Sequence, residues 1–420
     1  MRRTLEELPE SLDETYERIL KEIKKPNRDH ARRLLQCLVV AIRPLRVEEL
    51  AELIAFDFDD EGLPKLNESW RWEDQEQAVL SSCSSLIAIV DTEDSQVVQF
   101  SHFSVKEFLM SPRLGTSSGD LSCYQVNLEP AQTILARACL SVLLQLDNHV
   151  EKDRVQQNFP LAGYAAEHWA SHAKFKDELT HLRKGMEDLF DVDKPHFSAW
   201  LRLHDIDTNR RGTTFFQFTP RNKSEAGPLY YASLCGFLDL ARYLIVKYPE
   251  QVNAHGGYYV TPIVAALSRG HFQTADLLHH NGADPNVHGS DEWTPLHSAA
   301  HYGDLQTVKT LIRYNADIDA RNLWGHTPLH NAAWNSTPNR VNVVRLLLDH
   351  GADVNSWAKD GSTSLHAAAY EGSLEVARVL LEHGADVQAE DEGGWTPLKS
   401  ASKHHDHDEL MKLLREHGAK

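Results

Sequence analysis

The sequence lacks the features that would mark a membrane or secreted protein. Its longest apolar runs, residues 37–42 and 86–90, are far shorter than the roughly 20 residues that a membrane-spanning helix needs. The N-terminal Met1-Arg2-Arg3 is followed by acidic residues and not by an apolar run, so it does not have the pattern of a secretory signal. We therefore expect a cytoplasmic protein with no membrane partner.

Cysteine and positive charge are also scarce. The five cysteines are odd in number, widely spaced and without a C-x-x-C pair, which argues against a disulfide framework or a zinc knuckle and favours a reducing compartment. Lys and Arg total 43 against 61 Asp and Glu, which gives a formal net charge of −18. Because this charge repels phosphate backbones at long range, we expect no nucleic-acid partner.

Motifs for phosphate, metal or covalent chemistry are missing as well. No string of the form G-x-x-x-x-G-K-[ST] occurs, so no nucleotide is expected to bind, and no H-E-x-x-H is present. The run 404–408, HHDHD, has the composition of a divalent-metal site, but its place at a helix turn favours a solvated loop. We predict that the chain is not an enzyme and holds no metal or cofactor. An active site assembled from distant residues would leave no trace in the sequence, and that alternative stays open.

What the sequence does contain is a repeat. The phrase Thr-Pro-Leu-His or a variant of it occurs six times, and the copies, marked at the proline or its equivalent, are 34, 33, 33, 36 and 33 residues apart. The marking positions are Pro228, Pro262, Pro295, Pro328, Ser364 and Pro397. A period of 33 is that of ankyrin repeats, in which stacked helix pairs bury a continuous core. The first and last copies are atypical, as end units of such a stack are expected to be.

Each part of the repeat has a mechanical reason. Proline suits the first turn of a helix, and glycine suits the left-handed position that ends one. We therefore predict tight turns between paired helices at the glycines and a longer loop in residues 335–340, where the fourth copy has an insertion. The glycines in question are Gly236, Gly270, Gly303 and Gly372. The motif histidines His297, His330 and His366 recur in one register, which favours hydrogen bonds to the backbone of a neighbouring repeat over a ligand role.

The N-terminal half shows a different pattern. Apolar spacing predicts helices up to about Lys24 and over 29–42, 47–55 and 75–85, followed by strands over 86–90 and 97–100. Three helices and a hairpin in this order are typical of a winged helix. Residues 73–85, where the helix that reads DNA would lie, contain no Lys or Arg, so DNA binding is not expected. Residues 129–190 are predicted to be helical, with His168, Trp169 and His172 packed in a core, and residues 197–223 to be irregular.

The predicted fold is mainly α, with a small α+β winged-helix domain and a helical connector followed by an ankyrin-repeat α-solenoid. The expected domains are an N-terminal helix (1–27), the winged helix (28–112), the connector (125–200) and about six repeats (224–420).

Three segments carry a resemblance to a known family. Residues 8–20, LPESLDETYERIL, resemble the segment that follows the nucleotide-binding domain of fungal NACHT–ankyrin proteins, which are STAND-type signalling ATPases. Residues 43–51 and 100–109 are similar to the winged-helix region of that family, and residues 159–169 to the helical segment after it. The resemblance implies a sensor and its relay in signal transduction, without the nucleotide-binding domain. Because the first matching segment lies so near Met1, we expect the C-terminal part of that architecture, from a truncated or a split gene.

The expected partner is a protein, bound by the concave face and hairpin tips of the repeats, where side chains vary while the framework repeats. These positions hold an aromatic-rich set, the kind of residue that dominates binding hot spots. The candidates are Tyr258, Arg269, Trp293, His301, Tyr302, Trp324, Trp334, Tyr370, Glu371 and Trp395. For any single tryptophan, stacking between neighbouring hairpins is the alternative. An adaptor that recruits substrates to a ubiquitin ligase is a second reading, although no docking box for it is found.

Overall fold

The structure is a computed structural model that describes most of the chain, and the chain divides into two compact units, Met1–Ile206 and Asp207–Lys420. The residues described are 10–58, 62–67, 74–83, 85–93, 95–116, 121–147, 152–174, 179–207, 226–289, 291–334, 337–403 and 407–420. The domain boundaries within each unit stay predictions.

The first unit opens with short amphipathic helices. They are α1 (Glu10–Glu22), α2 (Arg28–Val40), α3 (Val47–Ile54) and α4 (Gln75–Cys83). The apolar spacing of α1 buries Tyr16 and Leu20, and the Tyr16 hydroxyl lies 2.7 Å from Ser104 Oγ. The first predicted helix is therefore confirmed over residues 10–22, while its first apolar positions, Leu5 and Leu8, lie outside the described residues.

Two small antiparallel sheets accompany these helices. The strands are β1 (Leu45–Arg46), β2 (Phe56–Asp57), β3 (Lys65–Leu66), β4 (Ile87–Asp91) and β5 (Gln96–Phe100). β4 and β5 form the predicted hairpin, with Ile89 opposite Val98, and β1 adds a third strand in the order β1-β5-β4. Helices followed by a hairpin that pairs with an early strand form the predicted winged-helix-type domain. β1 was not predicted, because two residues are too short to show an alternating pattern.

A buried ion cluster fixes the start of α3. Glu49 is fully buried, and its carboxylate accepts hydrogen bonds from Arg43 at 2.7 and 2.8 Å and from the Arg46 backbone N–H at 2.8 Å. Burial alone would raise the pKa of Glu49, but the hydrogen bonds and charges of Arg43 and Arg46 lower it, so the carboxylate is ionised. The charged group thus stabilises the N-terminus of a helix whose own first N–H groups have no partner within the helix.

Seven further α-helices lie in the described part of the first unit. They are α5 (Phe103–Met110), α6 (Pro112–Thr116), α7 (Leu128–Leu143), α8 (Lys152–Asn158), α9 (Ala162–His172), α10 (Leu179–Leu189) and α11 (His196–Leu203). Trp169, Phe190 and Trp200 form an aromatic core among them, with centroids 5.5 to 6.1 Å apart. Trp169 and His172 are buried, which confirms their predicted core role, while His168 is half-buried.

The prediction of an irregular segment over 197–223 was wrong at its start. Residues up to Leu203 belong to α11, and the helix is held by its buried Phe197 and Trp200, whose indole N–H donates to the Ala166 carbonyl at 2.9 Å. A segment this short shows too few turns for its helical period to stand out. Residues 208–223 lie outside the described residues.

The second unit contains six helix pairs, which confirms the repeat. The pairs are α12 and α13 (Pro228–Cys235, Leu238–Lys247), α14 and α15 (Pro262–Ser268, Phe272–His280), α16 and α17 (Pro295–Tyr302, Leu305–Arg313), α18 and α19 (Pro328–Trp334, Arg340–Asp349), α20 and α21 (Ser364–Tyr370, Leu374–Glu382), and α22 and α23 (Pro397–Ala401, Asp408–Glu416). The predicted prolines begin five of the first helices, and the glycines predicted at the helix–helix turns all have positive φ, between 69° and 77°. In the fourth pair, α19 begins at Arg340, the last residue of the predicted loop, of which Asn335 and Ser336 lie outside the described residues.

Candidate protein-binding surface

The motif histidines hold the loops that join successive helix pairs. His297 is fully buried; its Nδ1 accepts the Thr294 backbone N–H at 3.2 Å, so its Nε2 carries the proton and donates to the His326 carbonyl in the next loop at 2.9 Å. His330 donates in the same way to the Ser362 carbonyl at 3.2 Å, and His366 donates to the Trp395 carbonyl at 3.0 Å. The predicted hydrogen bonds between neighbouring repeats are confirmed.

Backbone hydrogen bonds also join neighbouring loops. The Leu323 N–H donates to the Asp291 carbonyl at 2.9 Å, and the Lys359 N–H donates to the Trp324 carbonyl at 2.9 Å. Within the loop before α18, the Asn322 N–H donates to the His326 carbonyl at 3.0 Å. The Asn322 side chain adds to this frame, since its Oδ1 accepts the backbone N–H groups of Trp324 and His326, each at 3.0 Å. The loops therefore present their exposed side chains, such as that of Trp324, from a fixed backbone.

A pocket of about 310 Å³ opens on this surface between the loops and the first helices of the pairs. Its walls are mostly aromatic. The lining residues are Trp293, His301, Trp324, His326, His330, Asn331, Trp334, Ser362 and Ala367. Three of them are tryptophans, and Trp324 and Trp334 are 48% and 49% exposed, so the pocket presents indole rings to the solvent.

Four of the predicted binding residues meet in this pocket: Trp293, His301, Trp324 and Trp334. The rings of Trp293 and His301 meet edge to face with centroids 5.6 Å apart. On the other side, Trp334 stacks on Tyr370 with centroids 5.5 Å apart and ring planes inclined by 17°. The stacking alternative weighed for single tryptophans thus holds for one face of Trp334, while the residue still lines the pocket.

The other six predicted residues lie outside the pocket lining. Tyr302 packs against His301 at 4.9 Å, and Tyr370 and Trp395 flank the ammonium of Lys403. Glu371 caps the end of α20, where its N–H donates to the Ala367 carbonyl.

Tyr258 and Arg269 belong to an earlier part of the stack. Tyr258 packs edge to face on Tyr259, and the guanidinium of Arg269 lies 6.0 Å from the Tyr259 ring. Binding by any of the ten predicted residues stays a prediction.

Sequence reasoning missed five residues of the lining: His326, His330, Asn331, Ser362 and Ala367. His326 and Ser362 occupy the register position of Trp293, one residue before the motif threonine or its equivalent, so the repeat itself was a signal that could have found them. His330 was predicted only as part of the frame, but it both donates to the Ser362 carbonyl and lines the pocket. Asn331 follows the motif histidine, and no pattern marks it.

Burial keeps the pocket free of imidazolium charge at neutral pH. It lowers the pKa of His301 and His326 below the usual value, and it lowers the pKa of His330 to about 4. The Asp360 carboxylate interacts with His326 and His330. Although burial opposes its ionisation, two hydrogen bonds from Ser362, at 2.6 and 3.0 Å, lower its pKa. Asp360 thus places a negative charge near the pocket, and the guanidinium of Arg321, which also interacts with His330, places a positive one there.

No cluster for a metal ion is found among the residues that the structure describes. Groups of three or more His, Cys, Asp or Glu side chains placed to hold an ion are absent from the described ranges. His404, His405 and Asp406 of the run HHDHD lie outside these ranges, while His407 is the residue that precedes α23. The prediction of a solvated loop there stays a prediction.

The prediction that motifs for covalent chemistry are missing was wrong for one string. Residues 115–119, GTSSG, have the form G-x-S-x-G of a hydrolase elbow, which requires a sharp turn between a strand and a helix. Gly115 and Thr116 lie inside α6, which follows another helix, and Ser117 lies outside the described residues. The context of Gly115 is therefore not that of an elbow, and we assign no nucleophile to it.

Comparisons with known families agree with this division. Residues 262–358 match the family model described as ankyrin repeats (3 copies), and residues 347–401 match one described as ankyrin repeats (many copies). Residues 16–119 match the family model described as GPI inositol-deacylase, winged helix domain. The chain carries ankyrin repeats and a winged helix. The ankyrin repeats suggest that its second unit is a protein-interaction module.

A curated relative shares part of the chain. The chain is 32% identical over 299 residues to a protein of Monascus ruber named Azaphilone pigments biosynthesis cluster protein L. The match spans 67% of this chain and 61% of the relative's length. It makes the chain homologous to a fungal cluster protein, while the assignment to the NACHT–ankyrin STAND class stays a prediction. Among the described helices, none combines the length and the apolar character needed to cross a bilayer.

Proposed function

We propose that this chain binds a partner protein through the pocket and the loops around it, as the sensor or scaffold module of a signalling protein. The observation that carries the proposal is the group of three tryptophans around one pocket, two of them about half exposed. Exposed aromatic side chains that line a recess are typical of protein interfaces. The fixed backbone of the loops supports the same reading, because little conformational entropy is lost when a partner binds to it.

The STAND-type role is the finer part of this proposal. What supports it is the resemblance of residues 8–20, 43–51 and 100–109, together with the order of a winged helix before ankyrin repeats. The name of the Monascus relative places that protein in a pigment biosynthesis cluster, and it names no reaction. We propose that this chain serves other proteins by holding them, in the cytoplasm, without a nucleotide or nucleic acid of its own.

We also propose that the chain is not an enzyme. The motif histidines are the most regularly placed ionisable groups of the repeats, and both ring nitrogens of His297 are engaged in backbone hydrogen bonds. A general acid or base must be able to release or accept a proton at one of these atoms. Proton transfer at His297 or His330 would break a bond that holds the next loop.

The test is an affinity capture with the full chain as bait, in extracts of the organism that encodes it. Proteins retained by the wild type are compared by quantitative mass spectrometry with those retained by the double variant Trp324→Ala/Trp334→Ala. We expect a defined set of proteins to fall at least fivefold in the double variant, because its pocket has lost two of three indole walls. Ubiquitin-ligase subunits within that set would favour the adaptor reading.

Trp357→Ala is the matched control. Trp357 is 64% exposed on the same unit but is not part of the pocket lining, so its removal takes away a similar ring without changing the pocket. Far-UV circular dichroism of all three proteins checks that they fold alike. Equal retention of every protein by the wild type and the double variant would contradict the proposal.

A further inference from the structure

The same surface already holds a lysine side chain of the chain itself. The Lys403 ammonium lies 5.3 Å from the Tyr370 ring and 5.4 Å from the Trp395 ring. Attraction between a cation and an aromatic ring face acts within about 6 Å, so this arrangement is favourable. These three residues occupy the same register positions of their repeats as His301, His326 and Trp334 do two helix pairs earlier. The spacing of the repeat thus brings an ammonium and two rings together.

The pocket has more aromatic surface and supplies no cation itself. None of its nine described lining residues is Lys or Arg. Its histidines are neutral at physiological pH, and the ionised Asp360 carboxylate interacts with two of them. The three indole rings and the nearby Asp360 carboxylate attract a cation, while the guanidinium of Arg321, which is not in the lining but interacts with His330, opposes this attraction. The net charge of −18 attracts a cation at longer range.

One polar group in the pocket points to a polypeptide as the source of that cation. Asn331 lines the pocket and is only 4% exposed, yet its Nδ2 has no hydrogen-bond partner. A buried donor without a partner destabilises the unliganded site, and a ligand that accepts its hydrogen bond removes that penalty. A backbone carbonyl next to a lysine offers such an acceptor, whereas a free quaternary amine such as choline has no amide carbonyl.

We propose that the pocket binds the alkylammonium head of a lysine side chain, methylated or not, on the partner protein, with Asn331 donating to a backbone carbonyl beside it. The indole faces of Trp293, Trp324 and Trp334 surround the head, and the methylenes of the lysine stem pack between the rings. Methylation lowers the hydration of the ammonium and keeps its charge, so a trimethylated head binds at least as well as a free one. The inference rests on the proposed function and specifies the chemistry of the partner.

The experiment uses the full chain labelled with 5-fluorotryptophan and observed by fluorine NMR. Single Trp→Phe variants assign the resonances of the nine tryptophans. The probes are four pentapeptides with Gly on both sides of the central residue, which is lysine, trimethyllysine, acetyllysine or norleucine, titrated in 150 mM salt. We expect the lysine or the trimethyllysine peptide to shift the resonances of Trp293, Trp324 and Trp334 saturably. Acetyllysine and norleucine, which are neutral, are expected to bind at least tenfold more weakly.

Two comparisons guard against non-specific attraction between a basic peptide and an acidic protein. Trp324→Ala and Trp334→Ala, both at exposed positions, are each expected to weaken the peptide at least tenfold, while Trp357→Ala leaves its affinity unchanged. Asn331→Ala is also expected to weaken the binding of the lysine peptide. The same substitution should have a smaller effect on the binding of a lysine ester that lacks the neighbouring amide. Equal binding of norleucine would overturn the inference, as would an arginine peptide that binds tenfold tighter than lysine.

Failure of this inference can be told apart from failure of the proposed function. If none of the peptides shifts the three resonances, but the captured proteins still depend on Trp324 and Trp334, the pocket binds a protein through other chemistry and only the lysine assignment falls. If the substitutions change neither the binding of the peptides nor the retention of the captured proteins, both conclusions are wrong.

Discussion

His297 and His330 combine burial with full use of their ring nitrogens, which makes them sensitive to acid. Burial lowers the pKa of each to about 4, below the value near 6.5 that the unfolded chain has. Between these two values the unfolded state binds more protons, so stability is complete above pH 6.5 and is lost as the pH falls towards 4. A proton on Nδ1 would also face the N–H of Thr294 or Thr327, which that atom now accepts.

Urea unfolding at pH 7.5, 6.0 and 5.0 tests this acid sensitivity. The free energy of unfolding should fall across this range, with each histidine contributing on the order of 3 kcal/mol over the full window. The double variant His297→Gln/His330→Gln should be less stable at pH 7.5 and should lose less stability on acidification. An unchanged slope in that variant would show that other groups cause the acid sensitivity.

Glu49 gives a second prediction at this scale. Removing the charge of the buried Glu49 in Glu49→Gln leaves the half-buried guanidinium groups of Arg43 and Arg46 without their carboxylate, and loss of one partner of a buried ion pair destabilises by up to about 3 to 5 kcal/mol. Glu48→Gln is the matched control, since Glu48 is partly exposed and only 3.4 Å from Arg46, where a pair contributes about 1 kcal/mol or less. Chemical denaturation of both variants checks the difference, and equal midpoints would contradict it.

At the scale of elements, the turns between paired helices differ in how closely the next repeat approaches. Gly303 has φ +72°, and a Cβ placed there would lie 2.4 Å from Thr337 Oγ1, whereas Gly270 has φ +73° with nothing within 4 Å. Alanine at either position costs about 1 to 2 kcal/mol because it must adopt a left-handed backbone conformation. Only in Gly303→Ala does the new Cβ also clash with Thr337 Oγ1. We expect Gly303→Ala to lower the free energy of unfolding by about 1 kcal/mol more than Gly270→Ala does.

Thermal and urea unfolding of this pair of variants provide the check. A Thr337→Ala change in the Gly303→Ala background should restore part of the loss, because it removes the atom that the new Cβ meets. Equal destabilisation by the two glycine substitutions would mean that the loop around Thr337 shifts to accommodate the new Cβ with no loss of stability.

The elements also show how far the sequence could predict this fold. The helix pairs and the positive-φ glycines could be predicted from the repeat, because each position of the 33-residue period can be compared across six copies. Nothing repeats for α11 or for the two-residue β1, which pairs with β5 some fifty residues away, so local patterns could not reveal them. The pocket was half predictable: register identified Trp293, Trp324 and Trp334, but Asn331 joins them only through packing between neighbouring repeats.

At the scale of the whole molecule, the net charge of −18 and the pocket act over different distances. Ions screen the long-range field, whose Debye length is about 10 Å at 0.1 M salt, whereas contacts between an ammonium and indole rings are short-ranged and partly shielded from solvent. Raising the salt from 50 to 500 mM should therefore weaken the lysine peptide for the wild type and for Trp324→Ala by the same factor. The ratio of their two affinities should stay constant.

This constancy separates recognition by the pocket from attraction by the molecule as a whole, because charge alone would bind any basic peptide to either protein alike. Titrations of the lysine peptide at 50, 150 and 500 mM salt, with both proteins at pH 7.5, measure the ratio directly. Trp357→Ala, measured alongside, should follow the wild type at every salt concentration. If the affinities of the wild type and Trp324→Ala converge at 500 mM, the contribution of Trp324 is itself removed by salt, and short-range contact between the indole rings and the ammonium does not account for the tenfold difference.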